Sequence, residues 1–222
     1  MTTPELPARL ADRRQFLIGA GAIAAGVAFA ACGNDDDDDG ANDTTGDTTD
    51  TTAKDAGGEV PAGDLDVAAL AAGLEVLAVQ TYKAALDAAT AGKLGTVPPA
   101  VATYVTTAMG QHQEQLEAWN SVLTANDRPE VSQPDAKLKP TVDAEFAKVT
   151  SATGAAALAL QLEEIAAATY LDAVSKLSSD AAIELAGSIY VIDMQHSAVL
   201  LFVLGKYPVP NVFGQTKESA AA

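Results

Sequence analysis

Hydrophobic residues recur at a helical period from about residue 64 to residue 204. In the first such segment Leu70, Leu74 and Leu77 mark one face of a helix. The pattern predicts four long helices, at about 64–90, 99–125, 153–177 and 180–204, and a short helix at about 142–149. No segment alternates convincingly at period two, so we expect no sheet and an all-α fold.

Polar and glycine residues mark the predicted helix ends. Asp64 or Asp66 is expected to cap the first helix, and Asp180 the fourth long helix. Gly92 ends the first helix and Gly205 the fourth, since glycine adopts the left-handed conformation that follows many helices. We therefore expect well-defined helix boundaries on both sides of the bundle.

The connections between the predicted helices differ in length. The first and second long helices are joined tightly, as are the third and fourth, whereas the second and third are separated by a long polar link at about 126–140. Short connections join antiparallel neighbours. The expected architecture is two antiparallel helical hairpins joined by one long crossover.

One stretch of the chain occurs twice, once in the first helix and once in the third. The copies read LEVLAVQTYKAAL at 74–86 and LEEIAAATYLDAV at 162–174. Each copy has a glutamate seven residues before a tyrosine, Glu75 with Tyr82 and Glu163 with Tyr170. Seven residues are almost two helical turns, so each pair lies on one face of an apolar helix. Buried carboxylates require compensation, and two on related helices suggest a shared metal site.

These residues resemble those of the ferritin-like, di-iron carboxylate-type four-helix bundles. In that family two helices each supply a Glu, and the other two each supply Glu-x-x-His. The resemblance covers about 64–204 and implies metal ligands at matching positions of this chain: Glu75, His112, Gln115, Glu163, Asp193 and His196. It also implies that the hydroxyls of Tyr82 and Tyr170 hydrogen-bond buried carboxylates beside the ligands.

The chain departs from the family pattern at three of these positions. His112 stands where the family has Glu, Gln115 where it has His, and Asp193 where it has Glu. The resulting set is short of negative charge for two divalent ions, so a single metal or an asymmetric pair fits better. Iron is the expected ion, with manganese, zinc or no ion as alternatives. Core histidines within a hydrogen-bond network are the alternative interpretation of His112 and His196.

The N-terminal residues 1–32 resemble an export leader. Arg13 and Arg14 precede an apolar run, as in a twin-arginine signal, and the run ends at Cys32 in a sequence similar to a lipobox. We expect Cys32 to be lipidated and the protein to lie on the outer face of the cytoplasmic membrane. The alternative is an ordinary cleaved signal peptide in which Cys32, the only cysteine, is incidental.

The rest of the chain is divided by composition. Residues 33–63 are rich in Asp and Thr with almost nothing to bury, which predicts a disordered acidic tether ahead of the bundle at 64–206. Residues 207–222 contain Pro208 and Pro210 and predict an extended tail. The net charge of −17 argues against nucleic acid as a partner. The sequence leaves open whether the protein forms a homodimer.

Two functions follow from the sequence. The first is an exported metal-binding protein with ferroxidase- or peroxidase-type activity. The second is a non-catalytic envelope module with a degenerate metal site, acting in stress protection or partner binding. The departures at His112 and Gln115 favour the second function, whereas Glu75, Glu163 and His196 favour the first.

Overall fold

The computed structural model describes residues 60–221, and within them the chain forms five helices and no strand. The helices are α1 (Ala62–Thr90), α2 (Pro99–Thr124), α3 (Lys139–Phe146), α4 (Ala152–Val174) and α5 (Asp180–Val203). The all-α prediction is therefore confirmed. The predicted leader at 1–32, including Arg13, Arg14 and Cys32, lies outside the described residues, as does the tether up to residue 59.

The four long helices begin and end close to their predicted bounds, whereas the short helix α3 does not. It begins at Lys139, about one turn earlier than predicted, with Pro140 in its first turn. Proline fits the first turn of a helix because the N–H it lacks would have no partner inside the helix. Pro140 thus lies inside the start of α3, where the sequence analysis had placed it in the preceding link.

The predicted helix caps are wrong. Pro61 is the N-cap of α1, and Ser179, without a side-chain bond of its own, is the N-cap of α5. The buried carboxylate of Asp64 instead accepts hydrogen bonds from the backbone N–H groups of Ser178 (3.0 Å) and Ser179 (2.7 Å). A carboxylate at a helix N-terminus satisfies free donors and complements the helix dipole. Asp64 therefore connects the start of α1 to the start of α5.

The long helices form two hairpins. α1 packs along α2 and α4 along α5, and the two hairpins contact each other less extensively, chiefly through α1 and α4. Gly92 and Gly205 have φ near +72° and +73°, where a side chain is disfavoured, and they follow α1 and α5 as predicted. This is the predicted arrangement of two antiparallel hairpins joined by a crossover.

The crossover between α2 and α4 is fixed to the bundle along its length. The Asn120 side chain exchanges two hydrogen bonds with the backbone of Val131, at 3.1 and 2.8 Å. Farther along, the Asp135 N–H donates to the Gly73 carbonyl in the middle of α1 (2.9 Å). These bonds hold α3 beside α1 and α4.

The larger core cluster draws residues from all four long helices, and the tail returns to α4. Apolar residues centred on Trp119, Tyr170 and Ile189 form the larger core cluster. The tail contains no helix or strand, and its last residues return to α4, where the Ser219 hydroxyl donates to Asp172 (3.1 Å).

Among the described helices, α5 is long and apolar enough to cross a membrane by length and composition alone, a test that core helices of soluble proteins also pass.

Candidate metal centre

The polar residues predicted from the repeat and the motifs are buried in the middle of the bundle. Their exposed fractions are 2% for Glu75, 1% for His112, 2% for Glu163, 0% for Asp193 and 5% for His196. Each long helix contributes at least one of them. Charged side chains are almost never buried this deeply without partners, so the partners of each residue decide what the cluster can do.

His112 on α2 lies between the two glutamates of the repeat. Its Nδ1–H donates to Glu75 Oε2 at 2.7 Å, and its Nε2 lies 3.2 Å from Glu163 Oε1. The adjacent Glu164 is exposed, so the repeat correctly distinguished Glu163 as the inward-facing acid. One imidazole thus joins equivalent carboxylates from α1 and α4.

His196 on α5 approaches the same glutamate from the other side. Its Nδ1 lies 3.3 Å from Glu163 Oε2, and its Nε2–H donates to Gln111 Oε1 at 2.7 Å. Gln111 was missed by the sequence analysis. The predicted motif began at His112, and only the packing of α2 against α5 shows that the preceding residue reaches His196.

The two tyrosines of the repeat exchange partners between the helices. Tyr82 on α1 donates to Glu163 on α4 at 2.5 Å, and Tyr170 on α4 donates to Glu75 on α1. Each tyrosine therefore binds the glutamate of the other copy. The exchange fixes the two repeats against one another and supplies each carboxylate with a donor.

Two further aromatic residues extend these bonds, and sequence reasoning did not assign either of them to the site. Trp119 donates from Nε1 to the Tyr170 hydroxyl at 3.0 Å, and the Tyr104 hydroxyl lies 3.0 Å from that of Tyr82. Trp119 follows His112 by seven residues, the same interval as Glu75 to Tyr82, which is the one sequence signal that could have indicated it. The hydrogen bonds from Glu75 thus run through Tyr170 to Trp119, and those from Glu163 run through Tyr82 to Tyr104.

Asp193 differs from the other acids of the cluster because it has no hydrogen-bond partner within residues 60–221. Both carboxylate oxygens are buried without a partner there, and the residue is 0% exposed. An unpaired carboxylate inside a protein is strongly unfavourable unless it is protonated or binds a cation.

Burial and neighbouring charges shift the pKa values of these groups in different directions. Burial raises the pKa of Asp193 well above its usual range, and the charges of Glu163 and Glu75 raise it further. Burial also opposes the charge of Glu163, but His112 and His196 outweigh it and lower the pKa of Glu163 to about 2. For His112, burial lowers the pKa, whereas Glu163 and Glu75 outweigh that effect and raise it well above 6.5. Without a metal, these shifts favour the protonated forms of His112 and Asp193 and the ionised form of Glu163.

Four of the six predicted ligands come together. Each of His112, Glu163, Asp193 and His196 offers one donor atom, and these atoms all lie within 4.8 Å of one another. Ligand atoms on opposite sides of one ion are separated by about 4.2 Å, twice a typical metal–ligand distance, so a small contraction suffices. Two imidazoles and two carboxylates suit iron, manganese or zinc. The residues present therefore fit one transition-metal ion.

The other two predicted ligands lie differently. Glu75 accepts from His112 and Tyr170 and is not part of the four-residue group. Gln115 is half-buried, and its Oε1 is buried without a partner. Within residues 60–221 the four-residue group is the only set of three or more ligand-type acids, histidines or cysteines gathered closely enough for an ion.

An all-α bundle of two hairpins with acids and histidines gathered at its centre defines a ferritin-like protein. The ferritin-like domain family matches residues 63–206, and the chain belongs to that family. No curated protein and no solved structure gives a match.

Proposed function

We propose that this chain is an exported ferritin-like protein that binds one transition-metal ion, with iron as the first candidate and manganese or zinc as alternatives. The observation that carries the proposal is Asp193, whose two buried oxygens have no partner in the described part of the chain and lie in a cluster with three other metal-ligand side chains. A cation bound there removes the cost of that unpaired acid.

Each histidine has one nitrogen held by an acceptor and the other directed at Glu163. Glu75 holds His112 Nδ1, and Gln111 holds His196 Nε2, both at 2.7 Å. The remaining nitrogens, His112 Nε2 and His196 Nδ1, lie at the longer distances of 3.2 and 3.3 Å from Glu163. A metal-binding histidine characteristically donates its other N–H to a carboxylate or carbonyl, which fixes its orientation. We assign Glu75 and Gln111 that orienting role.

The assignment favours one ion over two. Glu75 is already occupied by two donors, and Gln115 is a neutral amide outside the four-residue group. Two carboxylates balance the charge of one divalent cation, whereas two cations would require the four carboxylates of the family pattern. The departures in sequence thus correspond to the loss of one of two metal positions.

The chain's own residues supply proton control around the ion. Binding requires the proton on Asp193 and the proton on His112 Nε2 to leave, because ligands bind metal in their deprotonated forms. Tyr82 and Tyr170 stay protonated, since burial and the adjacent carboxylates raise the pKa of each hydroxyl. Ferrous iron held there would supply one electron per ion to dioxygen or peroxide, the ferroxidase- or peroxidase-type chemistry proposed here; reduction of hydrogen peroxide to two waters would consume two ferrous ions and two protons.

The second candidate is a non-catalytic envelope module. A specific feature supports it: Trp119, Tyr170, Glu75 and His112 form a complete chain of hydrogen bonds without any ion. Buried polar networks that are fully satisfied make a core rigid and unique. In that case Asp193 would remain protonated, and the protein would act in stress protection or partner binding.

Export and anchoring belong to the same proposal. Lysine replacement of both Arg13 and Arg14 should stop export through the twin-arginine route, which carries folded proteins. Cys32→Ala should release the protein from the membrane or leave it unprocessed. Membrane retention, after washing at high salt, of Cys32→Ala protein whose leader has been removed as in wild type would contradict the lipid anchor.

The experiment that tests metal binding is a thermal titration of chelator-treated protein with ferrous ion under anaerobic conditions. Asp193→Asn keeps the shape of the side chain but removes the charge. Glu164→Gln is the matched control, because it removes an exposed acid next to a proposed ligand. We expect the melting temperature to rise with metal in wild type and Glu164→Gln, and the rise to be largely lost in Asp193→Asn. No rise in wild type would favour the non-catalytic module.

A further inference from the structure

An elongated cavity begins at the polar cluster and runs between α1 and α4. Glu75, Tyr82, His112 and Glu163 line its inner end, and Ala89 and Ala152 line the other. Glu75 and Ala89 are separated by fourteen helical steps, about 21 Å along α1, because each helical residue rises about 1.5 Å. The cavity is therefore elongated.

The walls of this cavity are apolar and built from small residues. Alanines from both α1 and α4 face it, including Ala78, Ala85, Ala156 and Ala159, and leucine, valine and isoleucine supply most of the remainder. Protein interiors are normally packed without voids larger than a water molecule. Alanine at successive turns of facing helices keeps this space open, and its apolar walls give water few partners.

The two ends of the cavity differ. The inner end is closed by the buried Tyr82, His112 and Glu163, whereas half-buried residues such as Ala89 and Val97 bring the other end near the surface. Hydrogen-bonding groups are concentrated at the closed end, where the Tyr82 hydroxyl lies 3.0 Å from the Tyr104 hydroxyl. A molecule entering from the surface would place its far end against hydroxyls and an imidazole.

We infer that this cavity binds an uncharged aliphatic molecule with a small polar group, such as a medium-chain alcohol or aldehyde, and that the polar group lies against Tyr82, Tyr104 and Glu163. The apolar walls match a hydrocarbon chain, and the elongated shape matches an unbranched one. A carboxylate head group is disfavoured because Glu75 of α1 and Glu163 of α4 already line the closed end. The inference rests on the apolar walls, which contain no ligand-type residue away from the closed end, and it is therefore tested in the absence of metal.

Calorimetric titration of the chelator-treated full chain with 1-hexanol, 1-octanol and 1-decanol tests this inference. Each added methylene should raise the affinity about fourfold, as expected for burial of one CH₂ group. Decanoate should bind at least about tenfold more weakly than 1-decanol, because one added buried charge costs more than tenfold. Saturable binding of 1-decanol that grows with chain length is the result expected.

A matched pair of variants on α4 locates the binding. Ala159 lines the cavity, whereas Ala157 on the same helix is exposed. Ala159→Phe should lower the affinity for 1-decanol at least about tenfold by filling the space, and Ala157→Phe should leave it unchanged. If Ala159→Phe fails to give a cooperative thermal transition, Ala85→Leu on α1 fills the same cavity with a smaller side chain.

The outcomes separate this inference from the metal proposal. Absence of saturable 1-decanol binding in wild type would overturn the inference, as would equal binding by wild type and the cavity-filling variant. Decanoate binding as tightly as 1-decanol would overturn the uncharged class of ligand. A metal-induced rise in melting temperature that persists in Ala159→Phe would leave the metal centre intact whatever the alcohols show.

Discussion

Glu75 and Asp193 are both buried acids in the same cluster, and they differ in how the protein treats them. Glu75 accepts from His112 and Tyr170, and Trp119 in turn supports Tyr170. Asp193 accepts from nothing among the described residues, and both of its oxygens are buried. Within the described residues, the protein supplies hydrogen-bond donors to Glu75 and none to Asp193.

The difference shows which part of the cluster is structural and which part is open to a ligand. A fully hydrogen-bonded network stabilises the fold on its own, so the bonds around Glu75 have a structural role that needs no ligand. An unsatisfied buried acid destabilises the fold, and natural proteins retain such groups where they have a function. Glu163 belongs to both sides, because it contacts His112, His196 and Tyr82.

Replacing the shared acid should have the largest effect. Glu163→Gln removes the charge that faces both histidines, and we expect the metal-free protein to lose about 3–5 kcal/mol of stability, as for other broken buried pairs. Urea unfolding measures the loss, and Glu164→Gln should stay within about 0.5 kcal/mol of wild type. A neutral effect of Glu163→Gln would contradict the contacts assigned to this carboxylate.

Replacing the incomplete acid should instead act through the metal. Asp193→Asn should leave the stability of the metal-free protein unchanged or raise it. The substitution breaks no hydrogen bond, and the neutral amide can be buried without first binding a proton as the carboxylate must. Ferrous ion at about 100 times its dissociation constant stabilises wild type by about 2.7 kcal/mol, and the variant should lose most of that gain. Destabilisation of the metal-free Asp193→Asn protein would show that Asp193 has a partner.

Tyr170, which donates to Glu75, should contribute to stability rather than to metal binding. Tyr170→Phe removes a donor to Glu75 and an acceptor for Trp119, which should cost about 2 kcal/mol in urea unfolding. Tyr82→Phe is the matched variant on the other side of the repeat. Metal affinity that falls more in Tyr170→Phe than in Tyr82→Phe would contradict the division between the two sides.

The pH dependence of the metal-free protein is a gradual slope, smaller per pH unit and per proton than the effects of the substitutions above. The pKa values of His112 and Asp193 are raised in the folded state, so the folded protein binds more protons than the unfolded chain. Stability should therefore fall as pH rises. The contribution of His112 is fully present below about pH 6.5 and is lost above it, and the contribution of Asp193 begins to fall above about pH 3.9. The slope is at most about 1.4 kcal/mol per pH unit for each proton.

Glu163 does not contribute to this slope. Its pKa is lowered to about 2, so the stability that it supplies is complete above its unfolded value and is lost only as pH falls toward 2. Chemical unfolding between pH 6 and 8.5 measures the predicted fall. A stability that rises with pH across this range would contradict the protonation assigned to His112 and Asp193.

Much of the fold could be predicted from local patterns. Hydrophobic period and glycine positions fixed the four long helices, and connection lengths fixed their pairing into hairpins. The caps could not be predicted in this way. Asp64 lies in the first turn of α1, yet its carboxylate binds the backbone N–H groups just before α5, more than a hundred residues later in the chain. Only the packed structure brings these two helix ends together.

The site was predictable where the sequence repeats itself and not elsewhere. The repeat identified Glu75, Glu163 and both tyrosines, because matched spacing reports a shared face. It could not show that each tyrosine binds the glutamate of the other copy, since that depends on how α1 and α4 pack. Gln111 and Tyr104 enter the site through contacts between helices, which no spacing along one helix contains.

Anomalous diffraction at the iron absorption edge, from crystals grown anaerobically with ferrous ion, tests the central claim most directly. The account predicts one peak in the bundle, about 2.0–2.2 Å from carboxylate oxygens of Glu163 and Asp193 and from His112 Nε2 and His196 Nδ1. Glu75 should remain bonded to His112 and outside the coordination sphere. A peak coordinated by Glu75 and Gln115, or no peak in protein that is otherwise well ordered, would contradict the account.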